Sequence, residues 1–260
     1  AIAQVDACAP GLPVPVLAAL IGGGAVGLLD DVINIRGSGK GVAGLRSSVK
    51  FAMITVLGLA LGWFFSVKLG YDSVHMPFGG DWVIGWWMIP LFAFAVVAAG
   101  NAVNISDGLD GLAGGLSATA FGAFGVIALL QGHFLLAGFC FTVLGALLAY
   151  LWFNIFPARF FMGDVGSFAL GTSLGVVAML TNTFFLLPVI GIVFVIEAGS
   201  SLIQIFSKRV FHRKVFISAP IHHHLEAIGW PETKVTMRFW VVAMVAAVGG
   251  ILIALTGGYI

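Results

Sequence analysis

Five aspartates lie where long apolar segments meet short polar turns. Asp30 and Asp31 close one apolar segment, Asp107 and Asp110 follow another, and Asp164 precedes a third. A carboxylate at the edge of an apolar segment is costly to bury, so several of them at one membrane face need a chemical reason. A divalent metal and a charged substrate would provide that reason.

The first pair, Asp30-Asp31, ends the segment that begins near residue 12. Neighbouring side chains on a helix diverge by about 100°, so we expect one carboxylate to engage a reacting group while the other orients a neighbour. The alternative is a solvated helix end. Acids are unfavourable there because the C-terminal end of a helix is partially negative. Two of them in succession therefore favour a functional role.

The second group is spaced in threes: Asn101, Asn104, Asp107 and Asp110, just before a further apolar segment. Asp107 could cap the following helix, with Asp110 at the acidic position of a capping box. Amides and carboxylates in register beside a helix N-terminus could instead bind a base, a sugar or a phosphate. The local pattern leaves both interpretations open.

The third group, residues 154–167, has a proline and two glycines and leads into another apolar segment. Asp164 is either a helix cap or a ligand for Mg²⁺, which takes one or two carboxylates together with substrate phosphates. Phe161 is either a stacking partner for a base or an aromatic anchor at the membrane interface.

Three consecutive histidines, His222, His223 and His224, lie in a predicted loop just before Glu226. A zinc site is disfavoured because no second ligand pair accompanies them at a recognisable spacing. Contact with a diphosphate, or donation of a proton, is the better interpretation. Glu197 stands apart inside an apolar run, where an acid indicates either function or a helix break with local hydrogen bonds.

The elements that position these residues are membrane helices. The chain is 60% hydrophobic and 9% charged, with a mean hydropathy of +1.09, whereas an ordinary soluble domain has roughly 25% charged residues. This composition predicts an all-α polytopic integral membrane protein that forms a single domain over residues 1–260. A bilayer core needs about 20 apolar residues per helix. Eight runs of this kind occur, at approximately 12–29, 48–67, 83–100, 111–131, 134–153, 166–181, 184–206 and 237–257.

The basic residues predict the orientation of these runs. With eight spans, only Lys68 lies on one side, so the other side is cytoplasmic and both termini are outside. The acids and histidines described above then lie on the cytoplasmic side. The cytoplasmic basic residues are Arg36, Lys40, Arg46, Lys50, Arg159, Lys208, Arg209, Arg213, Lys214, Lys234 and Arg238.

Several smaller features complete the prediction. The turn-rich outer loop at about 68–82 could hold a short hairpin. The two cysteines, Cys8 and Cys140, predict neither a structural disulfide nor a thiolate metal site. Glycines at 22, 24 and 27 match a dinucleotide fingerprint, but no strand precedes them, so helix packing explains them. The net charge of +1 gives no indication of nucleic-acid binding.

Together these blocks resemble the polyprenyl-phosphate N-acetylhexosamine-1-phosphate transferases. The stretch Pro220-Ile-His-His-His-Leu-Glu226, followed by Gly229-Trp-Pro-Glu232, is similar to one branch in particular, the bacterial phospho-N-acetylmuramoyl-pentapeptide transferases. The similarity runs from about residue 22 to the C-terminus. It implies transfer of phospho-MurNAc-pentapeptide from UDP to undecaprenyl phosphate with Mg²⁺, giving lipid I and UMP at the cytoplasmic face of the bacterial inner membrane.

The resemblance also assigns residues. It implies that Asp164 binds Mg²⁺ and that Phe161 stacks on the base. The implied catalytic residues are Asp30, Asp31, Asp164, His222, His223 and His224. The implied substrate-binding residues are Asn101, Asn104, Asp107, Asp110, Phe161, Lys40 and Lys50. The expected partners are UDP-MurNAc-pentapeptide, undecaprenyl phosphate and the bilayer, without nucleic acid; a homodimer is compatible with the family.

The chain departs from the family pattern in two respects. The family usually has ten spans, so the resemblance implies that the first two helices and a Thr-Pro-Thr-Met-Gly-Gly loop are absent. The family also often has a lysine three residues after the aspartate pair, where this chain has Asn34. Lys40 or Lys50 could supply that phosphate contact.

Two other functions remain open. A sister transferase acting on UDP-GlcNAc would share the aspartates, but the triple histidine argues against it. An ion-coupled transporter would place acids near the bilayer midplane and would show an inverted repeat. The sequence instead has its acids near one face and shows no repeat.

Overall fold

A computed structural model describes residues 13–36 and 44–260 of the chain. The described chain is predominantly helical, as its composition predicts. The helices are α1 (Pro13–Arg36), α2 (Ser47–Trp63), α3 (Met88–Ser106), α4 (Leu112–Leu130), α5 (Phe134–Asn154), α6 (Gly163–Leu180), α7 (Leu187–Ile190), α8 (Ile192–Val210), α9 (Ile221–Ala227) and α10 (Glu232–Thr256).

Within the described ranges, seven helices are long and apolar enough to cross a membrane: α1 to α6 and α10, with short helical extensions on α2 and α3. They coincide with seven of the eight predicted runs. Large apolar side chains such as Trp152, Val245 and Leu252 are exposed on their outer faces. This exposure is expected where lipid rather than water surrounds a helix. The structure is therefore that of a polytopic membrane protein.

The remaining run, predicted as one helix over 184–206, is broken. A short 3₁₀ turn, Phe184–Leu186, leads into α7, and α8 then departs at an angle of 83° after Gly191. One side of α8 buries polar side chains, and the other exposes large apolar ones such as Leu202 and Phe206. The prediction of one continuous span is wrong because apolar content alone does not reveal that the chain turns at Gly191.

α6 packs between α1 and α3 at very short range. A Cβ atom on Gly171 would lie 2.6 Å from the carbonyl oxygen of Ala99, and one on Gly27 would overlap the carbonyl of Asp164. Such contacts require glycine because any side chain would separate the backbones. The glycines near residue 27 thus serve helix packing, as predicted, and they bring the end of α1 against the start of α6.

The opposite end of the bundle carries the predicted hairpin. Strands β1 (Ser73–Met76) and β2 (Gly80–Val83) pair antiparallel. His75 lies 2.9 Å from the carbonyl of Gly257, and the hydroxyl of Tyr259 donates to the carbonyl of His75. The hairpin is therefore fastened to the residues that follow α10. Of the cysteines, Cys140 is a buried free thiol and Cys8 lies outside the described residues.

Candidate active site

Three carboxylates meet where α1 ends and α6 begins. Asp30, Asp31 and Asp164 each offer an oxygen, and these oxygens all lie within 4.8 Å of one another. The backbone at Gly163 has a φ of 62°, and a Cβ there would lie 2.8 Å from a carboxylate oxygen of Asp31. Glycine is suited to both demands because it tolerates positive φ and leaves space for the carboxylate. The two adjacent aspartates therefore border one site.

Asp30 and Asp31 nevertheless make different contacts. The carboxylate of Asp30 is buried, and it accepts hydrogen bonds from the backbone N–H of Leu45 and from the ammonium of Lys50. Asp31 accepts a longer hydrogen bond, of 3.3 Å, from the N–H of Val165. Asp30 is thus held by neighbouring segments, while Asp31 is less constrained; which of them engages a reacting group stays a prediction.

Lys50, in the first turn of α2, joins the cluster from a third helix. Its Nζ atom lies 3.0 Å from Asp30 Oδ2 and 2.9 Å from Asp164 Oδ2. One ammonium therefore offsets the repulsion between two carboxylates that face the same site. Lys40, the other candidate lysine, lies outside the described residues, and Asn34 is exposed.

Asn104, near the end of α3, fixes the other oxygen of Asp164. Its Nδ2 atom donates to Asp164 Oδ1 at 2.8 Å and lies 2.9 Å from the hydroxyl oxygen of Ser167. Asn101, one turn earlier, donates to the carbonyl of Val97 in its own helix. Asn104 thus belongs to the carboxylate cluster. Sequence reasoning missed Ser167, although its position one turn after Asp164 was a usable signal.

Asp107 does not cap the helix that follows it. It is the C-cap residue of α3, whereas α4 begins after Gly111, which has a φ of 73° and provides no side-chain cap. The capping interpretation of Asp107 and Asp110 is therefore wrong. Burial, together with the smaller effect of the negative charges of Asp164 and Asp31, raises the pKa of Asp107 to about 6. Asp107 thus senses the carboxylate cluster electrostatically.

Asp110 holds two loops together. Its Oδ2 atom accepts from the N–H of Ala158 at 2.9 Å, and its own N–H donates to Glu232 Oε1. Beside it, Asn154 accepts from the N–H of Gly111 and donates to the carbonyl of Phe160. Sequence reasoning missed Asn154 and Glu232 as parts of this framework. A role for Asp110 in binding nucleotide stays a prediction.

Phe161 lies in the loop that these bonds hold in place, two residues before α6. Its side chain is 69% exposed, while the neighbouring Phe160 packs against Tyr150 and Phe153. An exposed aromatic face on an anchored loop could stack on a base. The structure therefore leaves Phe161, rather than Phe160, open for the predicted contact.

The three histidines lie on the short helix α9 and not in a loop. His222 is buried with its Nδ1 atom 2.7 Å from Glu197 Oε2, and the Nδ1 atom of His223 is 2.8 Å from Glu226 Oε2. His224 accepts a hydrogen bond from the N–H of Ile217. Consecutive helical residues point in different directions, so the three rings have separate partners. Sequence reasoning did not anticipate that Glu197 would pair with His222.

The fold and the site together define a polytopic membrane protein whose carboxylates and lysine, at one end of a helical bundle, suit a cation and phosphate groups. Residues 14–182 match the glycosyl transferase family 4. The chain is also 43% identical over 255 residues to a phospho-N-acetylmuramoyl-pentapeptide-transferase of Chloroflexus aurantiacus, with coverage of 93% of this chain and 70% of that relative. A protein of the same name from Geobacillus thermodenitrificans is 45% identical over 237 residues, which cover 90% of this chain and 72% of that relative.

This chain therefore belongs to glycosyl transferase family 4, and within it to the phospho-N-acetylmuramoyl-pentapeptide transferases. A third relative of that name, from Listeria monocytogenes, is 41% identical over 227 residues. The resemblance found in the motifs is confirmed, and the chain is a phosphoglycosyl transferase.

Proposed function

We propose that this protein transfers phospho-MurNAc-pentapeptide from its UDP carrier to undecaprenyl phosphate, producing lipid I and UMP for peptidoglycan synthesis. The observation that carries the proposal is the convergence of Asp30, Asp31, Asp164 and Lys50 in a chain of this family. The relatives described above are all phospho-N-acetylmuramoyl-pentapeptide transferases, which favours this donor over UDP-GlcNAc and a transferase over an ion-coupled transporter.

The proposed location is the bacterial inner membrane, with the site at the cytoplasmic face. The support is the charge distribution: with the bent segment counted as an eighth span, only Lys68 lies on the outer side. Positive residues concentrate on the cytoplasmic side of membrane proteins. Both termini would then be outside, and the nucleotide substrate would arrive from the cytoplasm. Assembly as a homodimer remains part of the proposal.

Mg²⁺ is the proposed cofactor because the donor set fits it. Hard divalent cations prefer oxygen ligands, and three carboxylates offer oxygens within 4.8 Å of one another. Asp164 would hold the ion, with Asp30 and Asp31 beside it. When bound, Mg²⁺ would supply charge neutralisation on the diphosphate as UMP departs.

The protein's residues have separate proposed roles in the transfer. A phosphate monoester has a second pKa of about 6, so much of the lipid phosphate is already a dianion at neutral pH and needs no strong base. We therefore infer direct attack of a lipid phosphate oxygen on the sugar-linked phosphorus. Asp31, the less constrained of the pair, orients the lipid phosphate, while Lys50 offsets the negative charge.

The nucleotide side of the proposed site is formed by the segments around it. Phe161 stacks on uracil, and Asn101 and Asp107 contact the ribose or base. Asp110 contributes by holding the loop of Phe161 and by contact with the nucleotide. The helix α9, which carries the three histidines, lies beside the diphosphate in this proposal.

The test uses the full chain in vesicles with Mg²⁺, undecaprenyl phosphate and either UDP-MurNAc-pentapeptide or UDP-GlcNAc, and it measures release of UMP. We expect release with the muramoyl substrate and its loss in Asp164→Asn, while Asp72→Asn at the other end of the bundle retains it. Release with UDP-GlcNAc alone would contradict the proposed donor. Full activity of Asp164→Asn would refute the role of that residue, and a trapped phosphoaspartate would refute direct attack.

A further inference from the structure

Glu197 is a buried acid within the bent segment of the fold. It lies on α8, six residues after Gly191, and its side chain is 0% exposed. A carboxylate without solvent is costly unless it is paired. Its partner is His222, which is 1% exposed and whose Nδ1 atom lies 2.7 Å from Glu197 Oε2. The hydrogen bond between the two residues therefore offsets part of the cost of burying two titratable groups.

Each member of the pair leaves one polar atom without a partner among the described residues. These atoms are Glu197 Oε1 and His222 Nε2, both of which are inaccessible to solvent. An orphan nitrogen on a buried ring is rare in folded proteins and calls for an explanation. A purely structural pair would more naturally use both ends of the imidazole.

The orphan nitrogen of His222 packs against the turn beside the candidate active site. A Cβ atom added to Gly108 would lie 2.5 Å from His222 Nε2, so this nitrogen abuts the turn that follows α3. Gly108 is next to Asp107, whose pKa is raised by the charges of Asp164 and Asp31 in addition to burial. The chain of contacts thus runs from Glu197 through His222 to the turn beside the carboxylate cluster.

The bend at Gly191 directs α8 towards α3 and α9. α8 leaves α7 at 83° and packs against both α3 and α9. The helix that carries Glu197 therefore contacts both the helix that carries Asn104 and the helix that carries His222. A straight span over the same residues would not direct α8 in this way.

We propose that Glu197 is a positioning residue that binds the Nδ1–H of His222 and thereby holds the ring against the 107–111 turn, which carries Asp107 and Asp110. A carboxylate that accepts from one ring nitrogen fixes the ring orientation and the proton on that nitrogen. This inference rests on the proposed transferase function only for its activity test. The contacts between Glu197, His222 and the 107–111 turn do not depend on that function.

The decisive variant is Glu197→Gln, which keeps the size of the side chain and a hydrogen-bond acceptor but removes the charge. We expect kcat for UMP release to fall by about 10-fold to 100-fold, as for other residues that orient a functional imidazole, with KM for the UDP substrate unchanged. The matched control is Ser200→Ala, because Ser200 is equally buried on the same helix and its hydroxyl bonds only the carbonyl of Glu197. The control should retain kcat.

A spectroscopic measurement separates positioning from stability. In nitrogen-15 NMR of histidine-labelled full chain in nanodiscs, the His222 signal, assigned by its loss in His222→Asn, should show a protonated Nδ1. This signal should change in Glu197→Gln. An unprotonated Nδ1 in the unmodified protein would overturn the proposal even if the variant failed to fold. So would a Glu197→Gln protein that loses thermal stability but keeps its kcat.

Failure of the two proposals can be told apart. If the unmodified protein released no UMP from UDP-MurNAc-pentapeptide while the His222 signal still depended on Glu197, the transferase function would fail and the positioning would stand. If UMP release were robust but indifferent to Glu197→Gln, the function would stand and the positioning would fail.

Discussion

The Nζ atom of Lys50 lies 2.9 Å from the Oδ2 atom of Asp164, although 114 residues separate the two in the chain. The same ammonium also lies 3.0 Å from Asp30. A fixed cation between two carboxylates reduces their repulsion, and it also competes electrostatically with any metal that they bind. The balance between these two effects can be measured.

Replacement of Lys50 by methionine should therefore have opposite effects on cation binding and on turnover. Mg²⁺ should bind more tightly by calorimetry, because a competing positive charge is lost. UMP release should fall by roughly 10²-fold to 10³-fold, the usual cost of removing a charge-stabilising donor. Lys68→Met, at the opposite end of the bundle, should change neither. Weaker Mg²⁺ binding in Lys50→Met would contradict the electrostatic account.

The two adjacent aspartates should differ in what their loss affects. Asp30 is buried and accepts from Lys50 and Leu45, so Asp30→Asn should lower stability by about 1.5–3 kcal/mol, the range for hydrogen bonds to charged groups. Asp31→Asn should leave the melting temperature nearly unchanged and abolish UMP release. Thermal unfolding in detergent and the vesicle assay would check both. Equal destabilisation by the two variants would show that their roles do not differ.

Asp107 predicts a pH-dependent stability. Its folded pKa is raised from 3.8 to about 6, mainly by burial, so the folded protein holds this proton more tightly than the unfolded chain. Stability from this group is therefore fully present below the unfolded pKa and is lost as pH rises through the folded pKa. Asp107→Asn should raise the melting temperature at pH 8 by a few degrees and have no such effect at pH 4. A lower melting temperature at pH 8 would reverse the sign of this prediction.

Phe161 and Phe160 provide a matched pair of aromatic residues. Phe161→Leu should weaken binding of the UDP substrate by about 10-fold or more, because stacking on a base contributes roughly 1–3 kcal/mol. Phe160→Leu should instead reduce stability, since this ring packs against Tyr150 and Phe153. Titration calorimetry with UDP would report the first effect and thermal unfolding the second. An unchanged affinity in Phe161→Leu would exclude stacking.

The close approach of α1 and α6 also predicts a position-specific effect. Gly27→Ala should displace the start of α6 and with it Asp164, because the added methyl would overlap the carbonyl of Asp164. Overpacking of this kind costs about 1–3 kcal/mol. Gly138→Ala should be neutral, since a Cβ at that position meets nothing within 4 Å. Normal activity and stability of Gly27→Ala would show that the helices can separate without harm to the site.

Much of the fold was predictable because it depends on local information. An apolar run of bilayer length predicts a membrane helix wherever it occurs in the chain, and seven runs became such helices. The eighth run forms a bent pair of helices instead of one straight helix, because the turn at Gly191 depends on what α8 packs against, and that information is not in the run itself. The hairpin was predictable from its turn residues, which act locally as well.

The sequence by itself determined that the protein is a polytopic helical membrane protein, which transferase family it belongs to, and which types of residue lie at the site. Only the tertiary structure decided which of them meet. In the folded chain Lys50 lies beside Asp164, and Glu197 lies beside His222. Asp110 binds the backbone of a neighbouring loop, and neither Asp107 nor Asp110 caps α4. The physical reason is that the direction of a side chain is set by how its helix packs against others. That packing depends on contacts between residues far apart in the chain, such as Gly27 against Asp164.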